Sequence, residues 1–102
     1  MRWRMSPRPL TKALHTFLDR IAVEAARNGR AVRKASSMLG QLRHRGLVIR
    51  VPLARKEMLT KQGFVYGYEP TVFHVWISTS GEKALSPEAA ALFRLGQQED
   101  AL

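Results

Sequence analysis

Three histidines are the residues best suited to proton transfer or metal binding in a chain that contains no cysteine. His15, His44 and His74 stand about thirty residues apart, and none has a second ligand at metal-binding spacing. His15 and Asp19, four residues apart, fit a pair on a helix surface better than a metal site. The eight carboxylates are scattered, and there is no phosphate-binding glycine loop, no GxGxxG and no nucleophile elbow. Enzyme chemistry has no constellation to rest on, so neither catalysis, a metal nor a cofactor is expected.

The chemistry these residues do support is recognition of a polyanion. Ser36, Ser37 and Gln41 are short polar groups that suit the groove-facing side of a reading helix. Glutamine can bond an adenine edge with two hydrogen bonds, and serine can pair with several edges. Arg33, Lys34, His44 and Arg45 bracket that stretch and would reach phosphates, which set affinity and register without reading bases. Arg55, Lys56 and Lys61 would add phosphate or minor-groove contacts from a following loop. Arg2, Arg4 and Arg8 form a basic arm that could follow the backbone or enter a minor groove.

The charge distribution agrees. The net charge is +9 over 102 residues, with a pI near 11.1. Residues 1–50 hold twelve Lys/Arg against two acids, a net of +10; residues 51–78 net +1, and residues 79–102 net −2. A surface charged only for solubility would mix both signs. Such an excess in one segment calls for an anionic partner, nucleic acid first.

Length and composition bound the rest. One domain with one modest core is expected at this size, and 45% hydrophobic with 25% charged residues is globular composition. No apolar run approaches the roughly 18–20 residues of a membrane span. The basic start lacks the apolar stretch of a signal peptide. Absence of cysteine fits a reducing compartment, so a cytoplasmic location and no membrane partner are expected.

Positioning these groups falls to a few elements. Residues 1–9 read as an irregular arm, with Pro7 and Pro9 disfavouring helix before them. Leu10, Leu14, Phe17, Leu18, Ile21 and Ala25 recur at helical spacing, and Asn28-Gly29 is a helix stop. Residues 10–28 can be one helix, or two with a bend near Asp19-Arg20. A second helix is expected from about Val32 to Arg45, with Ala35, Met38, Leu39 and Leu42 inward and Gly46 ending it. Gly40 costs that helix about 1 kcal/mol relative to alanine. It fits either a close approach by a base or backbone, or relief of crowding against another helix. Leu47–Val51 reads as a strand ended by Pro52, residues 53–71 as a polar stretch with an optional short strand at 64–66, and Thr71–Ser78 as the strongest strand. Its two aromatic-rich faces suggest that both are at least partly covered. Core and wing packing, rather than a stacking surface for single strands, is the favoured role of Trp76, Phe73, Tyr66 and Tyr68. Thr79-Ser80-Gly81-Glu82 matches a capping box before a short helix to about Leu85. Ser86-Pro87-Glu88 opens a last helix that frays from Gln97.

Two stretches carry a resemblance. Ala35-Ser36-Ser37-Met38-Leu39-Gly40-Gln41-Leu42-Arg43-His44-Arg45-Gly46-Leu47-Val48 resembles the recognition helix and exit of winged helix-turn-helix DNA-binding domains. Trp76-Ile77-Ser78-Thr79-Ser80-Gly81-Glu82-Lys83-Ala84-Leu85 resembles the last wing strand and following helix of bacterial winged-helix repressors. The two occur in the family's order with a wing-length gap, and with the first helix they cover residues 10–85. The resemblance implies an α+β fold: a three-helix core, a two- to three-stranded β-wing and a C-terminal helix. It divides the chain into an arm (1–9), a winged helix-turn-helix domain (10–85) and a terminal helix and tail (86–102). It implies sequence-specific binding of double-stranded DNA by a bacterial or phage transcriptional regulator, a repressor, acting as a homodimer. Glu24 departs from the family pattern by standing where an apolar residue is usual, and no clear break separates the family's first two helices. An alternative is a winged-helix-shaped module that binds a protein partner, inhibiting a nucleic-acid machine through its acidic surface. A third reading is an RNA or single-strand binder using the aromatic strand.

Overall fold

The computed structural model describes the backbone of residues 9–53 and 71–101, with side chains up to Gln97. Among these, four helices and a three-stranded antiparallel sheet form an α+β fold. Residues 1–8 of the expected arm at 1–9, the optional strand at 64–66 and the loop cations Arg55, Lys56 and Lys61 lie outside the described residues.

Helix α1 spans Lys12–Asn28 without a break, so the one-helix alternative holds. The Thr11 hydroxyl accepts a hydrogen bond from the Leu14 amide at 3.1 Å and caps its start. At the other end Gly29 takes φ 79°, and its amide donates to the Ala25 carbonyl. Leu14, Leu18, Ile21 and Ala22 are its buried face.

The chain then enters strand β1, Ala31–Lys34, where helix was expected from Val32. Val32 and Arg33 pair with His74 and Phe73 of the last strand. Tertiary pairing overrides local propensity here: the Glu24 carboxylate of α1 accepts from the Val32 amide at 2.9 Å and fixes the strand's entry. Ala35, expected inward, is exposed in the connection, and its amide donates to the Thr71 carbonyl at 2.8 Å.

Helix α2 is therefore short, Ser37–His44, with Ser36 as its cap. Leu39 and Leu42 bury its inner face, and Gly46 at φ 76° turns the chain out. Strand β2 (Val48–Pro52) and strand β3 (Val72–Ile77) complete the sheet in the order β1-β3-β2. Helix α3, Thr79–Lys83, is capped by Ser78, one residue earlier than the expected Thr79. The Ser78 hydroxyl accepts from the Gly81 amide and donates to the Gly46 carbonyl at 2.6 Å, tying α3 to the exit of α2. Glu82, expected to complete the capping box, instead faces Arg94 at 3.4 Å.

Helix α4 runs Pro87–Ala101, continuing past Gln97 where fraying was expected. The Ser86 hydroxyl caps it, and Asp19 of α1 accepts from the Ser86 amide at 3.1 Å. Gly96 lies against Ala26 further along, so α1 and α4 run side by side in the same sense. The core lies between the helices and the inner sheet face, joining Leu18, Ile21, Leu39, Leu42, Phe73, Val75 and Phe93.

Candidate nucleic-acid interface

Helix α2 sorts its residues cleanly. Leu39 and Leu42 face the core, while Ser37, Gly40, Gln41 and His44 fall at i, i+3, i+4 and i+7 on one stripe. Ser37, Gln41 and His44 are exposed, and the Gln41 Nε2 donates to the Ser37 hydroxyl at 3.1 Å. A Cβ at Gly40 would meet nothing within 4 Å. Gly40 is therefore not relieving crowding against a neighbouring helix, and its side of α2 is open to a partner. Ser36, also placed on the reading face by its sequence, is the cap: its hydroxyl accepts from the Leu39 amide at 3.1 Å.

The flanking cations divide. Arg33 sits on β1 and is half-buried, with its guanidinium bonded to the Glu24 carboxylate. It also donates to the Val32 carbonyl and lies 5.7 Å from the centre of the Phe17 ring. That guanidinium holds β1 to α1, which places it in the fold's framework. Lys34, at the end of β1, is exposed. His44 is exposed in the last turn of α2, and Arg45, the residue after it, donates to the Gln41 carbonyl at 3.3 Å.

On α2 and β2, two exposed or half-exposed cations were absent from the expected set. Arg43 is exposed on α2 one turn beyond Gly40. Arg50 of β2 lies over the Phe73 ring at 4.4 Å, which orients it along the sheet. The position of Arg43 in the final helical turn was a usable signal. The stacking of Arg50 required knowledge of the strand register.

Electrostatically this half of the molecule is one-sided. From residue 25 to residue 56 the sequence has no carboxylate, so β1, α2 and β2 carry none, and neither does β3. Among the described carboxylates, Glu24 of α1 is engaged by Arg33 and the Val32 amide. The carboxylates Glu82 and Glu88 belong to α3 and α4.

The aromatic strand splits into two roles. Phe73 is buried in the core, as expected. Trp76 is 49% exposed and pairs with His74, ring centres 4.2 Å apart and tilted by 41°, so core packing does not account for it. Tyr66 and Tyr68 lie outside the described residues. No group of three or more His, Cys, Asp or Glu among the described residues is arranged to hold a metal ion. No described helix is long and apolar enough to cross a membrane.

No family model, no curated protein and no solved structure matches the chain.

Proposed function

We propose that the chain binds double-stranded DNA by seating the outer stripe of α2 in the major groove, in the manner of winged helix-turn-helix regulators. The observation that carries this reading is the Ser37–Gly40–Gln41–His44 stripe. It is short, polar and outward-facing, on a helix and sheet that hold no carboxylate. Short side chains let the helix enter a groove about 12 Å wide, and the Gly40 opening lets a base edge or sugar approach the backbone. Gln41 is the base-reading residue, Ser37 its support, and Lys34, Arg43 and His44 supply phosphate contacts. Repression of a bacterial or phage promoter in the cytoplasm, by a homodimer on a palindromic site, is the regulatory form of this proposal.

Selection of bound duplexes from a random pool, followed by titration of the winner, tests it. Affinity should fall steeply with salt as Lys/Arg contacts release counterions, and Lys34→Ala should lower the log–log slope by about 1 without changing sequence preference. Gln41→Ala should relax preference at one base pair, by about 1–3 kcal/mol of lost discrimination.

One observation favours a second reading. Strand β1 stands between α1 and α2, so the described chain lacks two helices joined by a short turn leading into the reading helix. The same uniformly cationic surface would suit an acidic protein. A stoichiometric protein partner retained after nuclease treatment, with no duplex binding at low salt, would establish that reading in place of the first.

A further inference from the structure

The sheet face turned away from the core has no cover among the described residues. Strand alternation and register put Ile49 and Val51, His74 and Trp76, and Val32 and Lys34 on it. Ile49 is 55% exposed, Val51 39% and Trp76 49%. Apolar exposure gathered on one face marks an interaction surface, and its rim tells which kind. Arg30 precedes one end of β1 and Lys34 forms the other; both are exposed, and neither makes an ion pair among the described residues. The sheet carries no carboxylate.

Beside Trp76, where β1 stops at Ala31, a cleft of about 200 Å³ opens between β3 and the ends of α1 and α4. Arg30, His74, Trp76 and Gln97 line it. It is smaller than the roughly 300 Å³ of a pocket that encloses a small molecule. The His74 Nε2 is buried with no hydrogen-bond partner among the described residues.

We infer that this face binds single-stranded nucleic acid, with unpaired bases stacked on Trp76 and their phosphates drawn to Arg30 and Lys34. Every base has a π-face, so an exposed aromatic with flanking cations holds an unpaired strand with little sequence preference. Bases inside a duplex are stacked on each other and do not offer that face. A second copy packed face to face would bury the apolar residues but bring Lys34 and Arg30 to an interface with no carboxylate to neutralise them. This site shares Lys34 with the proposed duplex contacts but uses none of the α2 stripe.

The chain has two tryptophans, so Trp3→Phe leaves Trp76 as the only one. That full-length variant is titrated at low salt with short oligothymidylate and oligouridylate, which cannot form duplexes of their own. Binding by either strand with quenched Trp76 emission is the expected result; the two arms distinguish DNA from RNA. In the chain that retains Trp3, followed by anisotropy of labelled strand, Trp76→Ala should weaken binding about tenfold, the loss of one stacked base. Trp76→Phe should keep most of the affinity, and Gln41→Ala should leave it unchanged. The inference is overturned by no binding, by binding that leaves Trp76 emission unchanged, or by equal losses in the Gln41 and Trp76 variants. Quenching by polyglutamate in place of the oligonucleotides would overturn it too, as would a dimer that buries Trp76 without any strand present.

Discussion

Glu24 and Arg33 are joined across the α1–β1 corner, and the Glu24 carboxylate also receives the Val32 amide. Removing the carboxylate leaves a half-buried guanidinium and a strand amide without their acceptor. Charge-assisted hydrogen bonds of this kind are worth about 1.5–3 kcal/mol each, and partial exposure places the cost toward the lower end. Glu24→Ala should therefore lower unfolding free energy by about 2 kcal/mol in a urea titration. Arg33→Ala should show a similar loss of stability, with duplex affinity per folded molecule little changed. Read along the sequence, Arg33 was indistinguishable from the other basic residues near α2, because what assigns its role is a residue on another element. Glu24 did leave a trace, as an acid on an otherwise apolar helix face, but the trace did not say what it held. Gly40 reverses the usual expectation. Its Cβ position is open, so Gly40→Ala should stabilise the fold by about 1 kcal/mol through helix propensity. The same substitution should weaken duplex binding, because the added methyl stands where the groove wall approaches. A stability gain together with an affinity loss in one variant separates a contact role from a folding role.

At the scale of elements, helix α1 was legible from its apolar stripe and its Asn28-Gly29 stop. The interruption by β1 was not. Ala31, Val32, Arg33 and Lys34 fit a helical reading locally, and only pairing with Val72–Val75 makes them a strand. Strand β3 was the clearest strand in the sequence because five of its six residues are strong strand formers, Val72, Phe73, Val75, Trp76 and Ile77. The capping signal at α3 was right in kind and one residue late, since Ser78, Thr79 and Ser80 can all cap a helix. Gly81 is the element-scale consequence of that corner. A Cβ there would collide with the Leu47 backbone carbonyl, which already accepts from the Ser78 amide. Gly81 thus has a packing reason in this fold: α3 lies too close to the α2–β2 connection for a side chain. Gly81→Ala should cost about 1–3 kcal/mol or more, the range for forcing extra atoms into a packed site. Thermal unfolding would read it as a clear drop in Tm. Gly40→Ala, by contrast, should raise Tm.

Over the whole molecule, the +10 excess of residues 1–50 maps partly onto a surface and partly onto the frame beneath it. Arg33 is spent inside the fold and Arg50 lies on Phe73, while Lys34 and Arg43 stand exposed beside the α2 stripe. Net charge by segment therefore overstates the exposed cationic surface, and the absence of carboxylates on β1, α2, β2 and β3 describes it better. The most direct measurement is the amide spectrum of the ¹⁵N-labelled chain during addition of a duplex at low salt. Shifts should concentrate at Ser37, Gly40, Gln41, Arg43 and His44, with Glu24 and Val32 little changed. No shifts, or shifts that spare α2 while duplex binds, would contradict the seating of α2 in the groove.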